Sequence, residues 1–475
     1  MKIIGRQKEI QSLERYIASE QFEFIALYGR RRVGKTFLVR NLFGDRFAFA
    51  ATGILEGEPS EQRESFMASL RDYGYKDCAF SDWMEAFSKL RTLLENKGKK
   101  NKKTPLIVFI DELPCFDTQR SKFVHALGYF WNNWAAWQGN VKLIVCGSAT
   151  SWMTRNLLDS KGGLHNRLTQ TLWLKQFCLA ETEDYLKNAG FKWTRDSIAQ
   201  CYMVLGGIPY YLSLLDNRMS LPQNIDQLFF AADGKLREEF RRLYGSLFKN
   251  PDSYLKVIDL LATNHQGLTR KELAKKMDLG GRLSEILDDL LQCGFISRMG
   301  VRAQRGGIKA TDGIFHLTDF YTRFYYDFCR GKTSDEHYWT HKLATPKTNT
   351  WLGLAYERLC MAHVPQIKAA LGISGLHTEY YSWRSKVHQP AAQIDLLIER
   401  SDNMVNLCEI KYSAGQYAMS KAEYEKIQNR QMAFVEETKC KLGIFLTLIT
   451  TSAPKQNEYS NMMNGVVLLD DLFRD

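Results

Sequence analysis

Residues 29–36 of the chain read Gly29-Arg30-Arg31-Arg32-Val33-Gly34-Lys35-Thr36, which fits the spacing G-x-x-x-x-G-K-[ST]. An apolar run at residues 24–28 predicts a buried strand before this stretch, and residues 36–40 predict the start of a helix after it. In such a unit the loop N–H groups and the positive end of the helix dipole bind phosphates. We expect Lys35 to contact the β- and γ-phosphates of ATP and the Thr36 hydroxyl to ligate Mg²⁺. A surface turn rich in Gly and Arg is the alternative.

Length and composition limit the fold class. A chain of 475 residues is too long for one core and suggests about three domains. Its 45% hydrophobic and 25% charged residues are typical of a globular protein in water. The formal net charge of +11 is compatible with a polyanionic partner, although solvated lysines explain most such surpluses.

The cysteine pattern and the hydropathy of the sequence indicate the cellular compartment of the protein. The ten cysteines are scattered without a C-x-x-C pair, which indicates neither a zinc ribbon nor a disulfide framework. Residues 1–6 contain no apolar segment of a secretory signal, and no window approaches the ~18 apolar residues of a membrane span. We therefore expect a cytoplasmic protein with no membrane partner.

A second apolar run, at residues 106–112, ends in two acids. This pattern is typical of the Walker B strand that accompanies a phosphate-binding loop. We expect Asp111 to hold Mg²⁺ through water and Glu112 to polarise the attacking water as a general base. With both motifs present, the sequence predicts a site for ATP hydrolysis.

Two further residues are candidates for contact with the γ-phosphate. Ser148 follows an apolar run at residues 141–146, where it is either a phosphate sensor or a plain turn residue. Arg167 follows Gly162-Gly163, and it is either an arginine finger or a surface residue, because a planar guanidinium suits the charge of the transition state. If Arg167 acts in trans an oligomer is required, whereas the same residue in cis needs none.

Five motifs of the first half carry a family resemblance. They are Ile4-Gly5-Arg6-Gln7-Lys8-Glu9, the P-loop with its Arg30-Arg31-Arg32 insert, Ile110-Asp111-Glu112, Cys146-Gly147-Ser148, and Gly206-Gly207-Ile208-Pro209-Tyr210-Tyr211-Leu212. With them, residues 1 to about 245 resemble the archaeal- and bacterial-type ATPases related to AAA+ proteins, close to the STAND signal-transduction NTPases. The resemblance implies a helical lid that places Pro209 near the nucleotide. It also implies an arginine after the third strand, as the second residue of a Gly-Arg pair. The corresponding pair in this sequence is Asn166-Arg167.

The middle of the chain has the pattern of a winged helix. Its third helix carries Glu285, Asp288 and Asp289 against Arg282 only, and phosphate repulsion opposes its entry into a DNA groove. We favour a structural or coupling role, with DNA contact through the wing loop as the alternative. Helices are predicted at 254–262, 269–277 with Thr269 as N-cap, and 283–293; strands are predicted at 295–299 and 314–317, around a loop with Arg302, Arg305 and Lys309.

Two predicted strands near the C-terminus, residues 392–398 and 405–411, are joined by a polar turn. Asp395 and Glu409 would meet on these strands, and Lys411 would share the face of Glu409 because side chains alternate. Two carboxylates and a lysine suit a hard divalent metal and the charge of phosphodiester attack. An exposed charged hairpin is the alternative.

Roughly residues 340–475 resemble the PD-(D/E)XK nuclease superfamily, in which a helix Glu, a strand Asp and an E-x-K occur in that order. The resemblance implies that Glu357, Asp395 and Glu409 hold Mg²⁺ or Mn²⁺ and that Lys411 is catalytic. An E-x-K also occurs at residues 95–97 and 437–439, so the order of the acids and the apolar strands around them carry the resemblance. Regulators and inactive relatives share this fold.

Together these patterns predict an α/β protein in which a Mg²⁺-dependent ATPase, binding ATP and ADP, is coupled to a nuclease-like domain that acts on DNA. Two alternatives remain: a STAND-like nucleotide-dependent signalling switch, and a DNA-binding regulator whose C-terminal domain binds without cleaving. A homo-oligomer or a regulatory protein partner is compatible with each. The expected domains are a P-loop NTPase core (1–175), a helical lid (176–245), a winged helix with a connecting helix (246–330) and an α/β restriction-endonuclease-like domain (331–475).

Overall fold

A computed structural model describes most of the chain. The wing-loop residue Arg305 lies outside the described residues, as do the side chains of Arg302 and Lys309, so their predicted contact with DNA stays a prediction. The described residues are 3–77, 79–99, 104–159, 162–248, 250–277, 280–302, 308–331, 333–343, 345–385, 387 and 392–474, with backbone only at 301–302 and 308–312.

The first half of the chain is built on a parallel sheet. Its strands are β1 (Glu23–Tyr28), β2 (Phe47–Thr52), β3 (Leu106–Asp111), β4 (Val141–Gly147) and β5 (Gln170–Trp173), in the order β2-β3-β4-β1-β5. Strands β1, β3 and β4 are buried along nearly all their length because helices cover both faces. Ile25 and Leu27 of β1 face one apolar cluster, whereas Phe24 and Ala26 face the other. The sheet confirms the predicted α/β core.

Helices flank this sheet, and α2 follows the P-loop directly. Capping residues explain where some of these helices begin. For example, the Asp82 carboxylate accepts the Glu85 N–H at 2.9 Å and caps the start of α4. The helices are α1 (Gln7–Ala18), α2 (Lys35–Phe43), α3 (Pro59–Asp72), α4 (Trp83–Gly98), α5 (Leu113–Phe116), α6 (Phe123–Asn133) and α7 (Thr150–Met153), which continues as a π-helical turn, Thr154–Leu158.

The segment predicted as a lid is helical and packs on the core. The backbone N–H of Arg6 donates to Glu181 Oε1 at 3.0 Å, and its Nη2 donates to the Lys175 carbonyl at 2.5 Å. The N-terminus is therefore joined to the lid and to the segment before it. The lid helices are α8 (Leu179–Asn188), α9 (Arg195–Leu205), α10 (Pro209–Leu212), α11 (Leu221–Ile225), which continues through Asp226–Phe230, and α12 (Glu239–Leu247).

Three helices and a small antiparallel sheet follow, close to the predicted positions. Thr269 caps the second helix as expected: its hydroxyl accepts the Glu272 N–H at 3.2 Å, and Glu272 accepts the Thr269 N–H at 2.7 Å. The sheet has the order β6-β8-β7. The elements are α13 (Pro251–Thr263), β6 (Leu268–Thr269), α14 (Arg270–Lys276), α15 (Arg282–Gln292), β7 (Ile296–Arg302), β8 (Ile308–Leu317) and α16 (Phe320–Phe324), which continues through Tyr325–Cys329.

The last part of the chain is a mixed sheet between helices. Its elements are α17 (Tyr338–Lys342), α18 (Pro346–Ala362), α19 (Val364–Ala370), β9 (Thr378–Arg384), β10 (Gln393–Arg400), β11 (Met404–Lys411), α20 (Lys421–Thr438), β12 (Gly443–Thr450) and β13 (Gly465–Leu468). The order is β13-β12-β11-β10-β9; the first three strands in sequence are antiparallel, and β12 and β13 run parallel to β11. Tyr356 of α18 packs with Cys408 on one side of the sheet, and Phe434 of α20 packs with Leu407 on the other.

One apolar cluster runs through all these parts. It includes Leu27 of the parallel sheet, Tyr211 of the lid, Leu287 of α15 and Tyr356 of α18. The segments predicted as separate domains therefore share a continuous core. Among the described helices, none has the length and apolarity needed to cross a membrane.

His363, at the end of α18, joins the C-terminal part to the lid. The side chain is 1% exposed; its Nε2 accepts the Leu179 N–H at 3.0 Å, and its Nδ1 lies 2.8 Å from the Leu359 carbonyl. The ring that makes both contacts is neutral, with its proton on Nδ1. Burial lowers the pKa of His363 to about 4, although the hydrogen bond to Leu359 opposes this shift.

We expect His363 to reduce the free energy of unfolding by about 3 kcal/mol as the pH falls from about 6.5 to about 4. In this window the unfolded chain binds a proton at His363 and the folded chain does not, so acid favours unfolding. Urea denaturation between pH 4 and pH 8 measures the effect, with His363→Gln as the comparison. The free energy of unfolding of the variant should depend less steeply on pH in this window than that of the wild type. Equal slopes in the two proteins would contradict the role assigned to His363.

Candidate active sites

The P-loop connects β1 to α2 with its glycines at positions that require them. A Cβ on Gly29 would lie 2.3 Å from the Leu174 carbonyl oxygen, so no side chain fits there. Gly34 has a φ of +91° and no atom within 4 Å of an added Cβ, which leaves open space in front of the loop. Val33 is buried and anchors the loop in the core. The backbone N–H groups and the start of α2 can therefore approach a phosphate chain closely.

Lys35 is held inside the loop. Its Nζ donates to the carbonyls of Gly29 at 2.9 Å and Arg30 at 3.1 Å, and to Ser148 Oγ at 3.0 Å. Burial lowers the pKa of Lys35, while the negative charges of Glu112 and Asp111 oppose the shift. The lysine is thus a preoriented cation beside the space in front of the loop.

Thr36 and Asp111, the two predicted Mg²⁺ ligands, come together. Asp111 ends β3; its carboxylate accepts the Glu112 N–H at 3.1 Å and lies near the Thr36 hydroxyl. Burial raises the pKa of Asp111, and the nearby Thr36 hydroxyl opposes this shift. A hydroxyl and a carboxylate fit Mg²⁺, which takes few protein oxygens and otherwise water and phosphate.

Glu112 and Ser148 form a contact that sequence reasoning did not anticipate. Ser148 Oγ donates to Glu112 Oε1 at 2.7 Å, and the Ser148 N–H donates to Oε2 at 3.1 Å. Since Ser148 Oγ also accepts from Lys35, the three residues form one hydrogen-bonded chain. The candidate general base and the candidate sensor are therefore coupled directly.

Two arginines of the P-loop, Arg30 and Arg32, pair with acids from distant segments of the chain. Arg30 is buried, forms a bidentate ion pair with Asp319 and stacks over the Phe295 ring at 4.8 Å. Burial would lower the pKa of Arg30, but Asp319 outweighs it and raises the pKa. Arg32 donates through Nη2 to Glu239 Oε2 at 2.8 Å. Two of the residues predicted to bind nucleotide thus use their side chains to join the loop to the lid and to the segment after β8.

Arg31 and Pro209 complete the predicted nucleotide contacts. Arg31 is half-buried near the Cys115 thiol, and the described part of the chain offers it no hydrogen bond or ion pair. Pro209 opens α10, and the next residue, Tyr210, donates its N–H to the Arg32 carbonyl at 3.4 Å. The guanidinium of Arg32 also lies 3.9 Å from the centre of the Tyr210 ring. The lid motif therefore lies against the P-loop, as the resemblance implies.

We expect Arg30→Met to lower the free energy of unfolding by about 3–5 kcal/mol, because it leaves the Asp319 carboxylate buried without its partner. Asp319 also accepts the Thr322 N–H at 2.9 Å and so caps α16. The double variant Arg30→Met/Asp319→Asn keeps an oxygen for that cap and removes the buried charge. In urea denaturation, the double variant should recover part of the lost free energy of unfolding. If Arg30→Met is as stable as the wild type, the proposed role of the Arg30–Asp319 pair is wrong.

Arg167 is not brought to this site. It is exposed and lies just before β5, and β5 runs parallel to β1, with Gln170 beside Ile25 and Trp173 beside Tyr28. The P-loop follows the carboxyl end of β1, so Arg167 lies at the opposite edge of the sheet.

The C-terminal candidates converge on β10 and β11. Leu396 pairs with Cys408 in the antiparallel register, which places Asp395 beside Glu409. Lys411 Nζ lies 2.9 Å from Glu409 Oε1, as expected for alternate residues of one strand. Arg430 of α20, which the sequence analysis missed, donates to Glu409 Oε2 at 2.6 Å. The Glu409 carboxylate therefore has a cation on each oxygen.

Glu357 of α18 faces the same region. Burial raises the pKa of Glu357 to about 8, and the nearby Asp395 adds to the shift. Burial also raises the pKa of Asp395, although a hydrogen bond of 2.8 Å from Gln393 Nε2 opposes it. These carboxylates suit Mg²⁺ or Mn²⁺ chemically. As arranged, however, no group of three or more His, Cys, Asp or Glu in the described ranges is a ready-made metal site.

The comparisons with known proteins agree with the ATPase predicted for the first half of the chain. Residues 3–215 match the model of a family described as an ATPase domain predominantly from Archaea. An uncharacterised protein of Methanocaldococcus jannaschii is 25% identical over 367 residues, covering 75% of this chain and 76% of that protein. Residues 3–215 therefore form an ATPase domain of the archaeal P-loop type.

Solved structures of low sequence identity were also matched. The Walker-type ATPase of Pyrococcus abyssi is 18% identical, with a TM-score of 0.45 over 68% of this chain and 95% of that one. The ORC2 protein of Aeropyrum pernix, solved in ADPNP-ADP complexes, is 12% identical, with a TM-score of 0.41 over 76% and 96%.

Proposed function

We propose that this protein is a Mg²⁺-dependent, STAND-like ATPase whose nucleotide state is coupled through a winged helix to a PD-(D/E)XK nuclease-like domain acting on DNA. The observation that carries the nuclease half is the placement of Asp395 beside Glu409, with Lys411 on the same face. The ATPase half rests on the P-loop and on the hydrogen bonds that join Lys35, Ser148 and Glu112.

Each residue of the ATPase site has a proposed role. Mg²⁺ is held by Thr36 and Asp111, and Lys35 neutralises the charge that develops on the β- and γ-phosphates. Glu112 orients the attacking water, and Ser148, bonded to both Glu112 and Lys35, responds to the γ-phosphate. These roles are consistent with the short distances among the side chains.

Contacts between the ATPase core and α15 support the coupling role of the winged helix. Arg155, which follows Ser148 on the α7 segment, donates to Glu285 at 2.9 Å and to Asp289 at 3.0 Å. Asp289 also accepts the Tyr254 hydroxyl at 2.6 Å. The acids that oppose docking of α15 into DNA are thus used to dock it on the core. The Arg30–Asp319 pair is a second link from the nucleotide site to this segment.

The order of elements supports the nuclease half. A helix carrying Glu357 precedes three antiparallel strands that carry Asp395, Glu409 and Lys411, and a crossover helix leads to a parallel fourth strand. In this proposal the three carboxylates bind Mg²⁺ or Mn²⁺, which supplies Lewis-acid chemistry at the phosphodiester. Lys411 stabilises the negative charge that develops there. The metal would compete with Lys411 and Arg430 for the oxygens of Glu409.

Partners and location follow the same reasoning. The net charge of +11 favours a polyanion such as DNA. The position of Arg167 favours a homo-oligomer in which this residue completes the site of a neighbour, and the pattern of unpaired cysteines in the sequence favours the cytoplasm.

A cleavage assay tests the proposal. The full chain is incubated with linear duplex, circular duplex and single-stranded DNA, in Mg²⁺ or Mn²⁺, with and without ATP, and with EDTA as the control. We expect nicking or cutting that requires the metal and responds to ATP. Wild-type protein that cuts no substrate under any of these conditions would overturn the nuclease half and leave the ATPase half standing.

A second candidate is a nucleotide-dependent signalling switch whose C-terminal domain binds without cleaving. The cations on both oxygens of Glu409 favour it, since they compete with a metal for the same atoms. Slow ATP turnover, retained ADP and nucleotide-dependent oligomerisation, in protein that does not cut DNA, would distinguish the switch.

A further inference from the structure

A cleft of about 1070 Å³ lies between the β7–β8 hairpin and the C-terminal sheet. Glu357 and Asp395 line one side of it, and the hairpin residues Arg298 and His316 line another. The end of β5 and the residues after it also line the cleft, with Trp173 and Lys175. Two carboxylates of the proposed nuclease site, Glu357 and Asp395, therefore face this cleft.

Cations outnumber acids along the walls. Among the described residues, six cationic side chains and two carboxylates, Glu357 and Asp395, line the cleft; the cations are Arg30, Lys175, Arg298, Arg323, Arg358 and Arg430. Arg30, Arg323 and Arg430 are ion-paired with Asp319, Asp327 and Glu409. For Lys175, Arg298 and Arg358, the described residues provide no ion pair.

The surroundings of Arg358 show how positive this region is. The guanidinium of Arg323, which also lines the cleft, lies near that of Arg358. Two histidines of the cleft are kept neutral: burial lowers the pKa of His265 and of His316 to about 4, with neighbouring arginines adding to each shift. The buried Nε2 of His316 has no hydrogen-bond partner among the described residues. An anion in the cleft would relieve the repulsion among these groups.

Two large aromatic side chains are exposed in the same cleft. Trp173 is 44% exposed and Tyr380 is 50% exposed, and both line it. The Lys175 ammonium lies 4.8 Å from the centre of the Trp173 ring. Cations that meet phosphates, interleaved with aromatic rings on which bases stack, are the pattern of sites for single-stranded nucleic acid.

We propose that this cleft binds a single strand of nucleic acid, with its phosphates on Lys175, Arg298 and Arg358 and its bases on Trp173 and Tyr380. A duplex keeps its base faces stacked inside and cannot use the two rings. Arg384 Nη2 of β9 donates at 2.9 Å to the carbonyl of Gln266, which lines the cleft. The volume of the cleft is that of a ligand pocket and not of an open surface.

The inference extends the proposed function by naming the substrate class of the C-terminal site. Binding itself does not depend on cleavage, so the two ideas can fail separately. Arg298 belongs to the hairpin and Arg358 to α18, so two different elements provide cations for the strand. The winged-helix segment would then contribute to substrate binding through its hairpin and not through α15.

Fluorescence anisotropy of the full chain in EDTA tests the proposal. The probes are a labelled oligothymidylate, the matching oligouridylate, and a duplex of mixed sequence with its separated strands. We expect the single strands to bind more tightly than the duplex. Tyr380→Ala should weaken binding about 5- to 150-fold. Arg358→Gln should lower the slope of log affinity against log salt by about 0.7, which is one phosphate contact.

Controls of the same residue types lie on the ATPase core, away from the cleft. Arg91→Gln on α4 and Tyr129→Ala on α6 replace exposed side chains and should bind like wild type. Duplex binding as tight as single-strand binding, or wild-type affinity in both cleft variants, would overturn the proposal. Tyr380 is exposed, so its variant is informative even if Arg358→Gln fails to fold. Tight binding of single strands by a protein that does not cleave them would support the proposed binding cleft and contradict the proposed nuclease activity. Cleavage that the cleft variants leave unchanged would support the nuclease activity and contradict the binding cleft.

Discussion

ATP turnover is expected to fall at least about 100-fold when Lys35 is replaced by alanine, the loss typical of removing one preorganised donor from a charged transition state. The Lys35 ammonium is buried, with three oxygen partners within 3.1 Å. Alanine removes the positive charge from the space in front of the P-loop and one hydrogen bond to Ser148. Release of phosphate from ATP in the presence of Mg²⁺ measures the effect.

Nucleotide binding in the same variant separates a lost site from a slowed reaction. Mg²⁺–ATP should raise the Tm of the wild type by mass action and should have little effect on the Tm of Lys35→Ala. Lys187→Ala is the matched control, because that lysine is exposed on α8 and pairs only with Glu183 among the described residues. A Lys35→Ala protein that keeps wild-type turnover would show that the P-loop is not the site of hydrolysis.

The P-loop site could be predicted because its signals are local. Buried parallel strands are continuous apolar runs, so β1, β3 and β4 are evident from the sequence, and each is followed directly by a candidate residue. Parallel strands bring their carboxyl ends to one edge of the sheet, which is enough to place Lys35, Asp111 and Ser148 together. The hydrogen bond between Ser148 and Glu112 depends on rotamers, which no sequence pattern specifies.

The contacts that join distant segments could not be predicted. Asp319 lies 289 residues after Arg30, and nothing near either residue indicates that they pair. The acids of α15 are predicted to oppose docking into DNA, but the sequence does not indicate that their partner is Arg155, 130 residues away from Glu285. Arg167 is the opposite case: its local motif suggests a catalytic role, while the direction of β5 places it at the far edge of the sheet.

The surroundings of Asp395 depend on an irregularity in the sheet. The register between β10 and β9 shifts between Ile394 and Leu397, so β10 has a bulge at Asp395 and Leu396. Bulges bend a strand and redirect side chains, and they occur often beside active sites. Alternation along the strand predicts that Asp395 meets Glu409. The bulge also changes the orientation of the Asp395 side chain relative to Glu357 on α18, and alternation alone cannot predict this orientation.

Asp395→Asn should lower metal-dependent cleavage of DNA at least about 100-fold, because even changes outside the ligands of a metal site cost about 10- to 100-fold. Asparagine has the shape of aspartate and retains an oxygen that can accept from Gln393, so the fold of β10 should persist. It lacks the negative charge that would attract Mg²⁺ or Mn²⁺ to the site. ATP turnover should stay at the wild-type level, because the P-loop and the Arg30–Asp319 pair are unchanged.

Asp402→Asn is the matched control for this variant. Asp402 lies in the turn between β10 and β11 and is ion-paired with Arg400, so its loss changes the same hairpin without touching the carboxylates of the site. Cleavage is measured on single-stranded and duplex DNA across a titration of Mn²⁺, since a weakened metal site should recover part of its activity at high metal concentration. If Asp395→Asn cuts as fast as Asp402→Asn at every Mn²⁺ concentration, the nuclease activity of the protein does not reside at Asp395, and the proposed metal site is wrong.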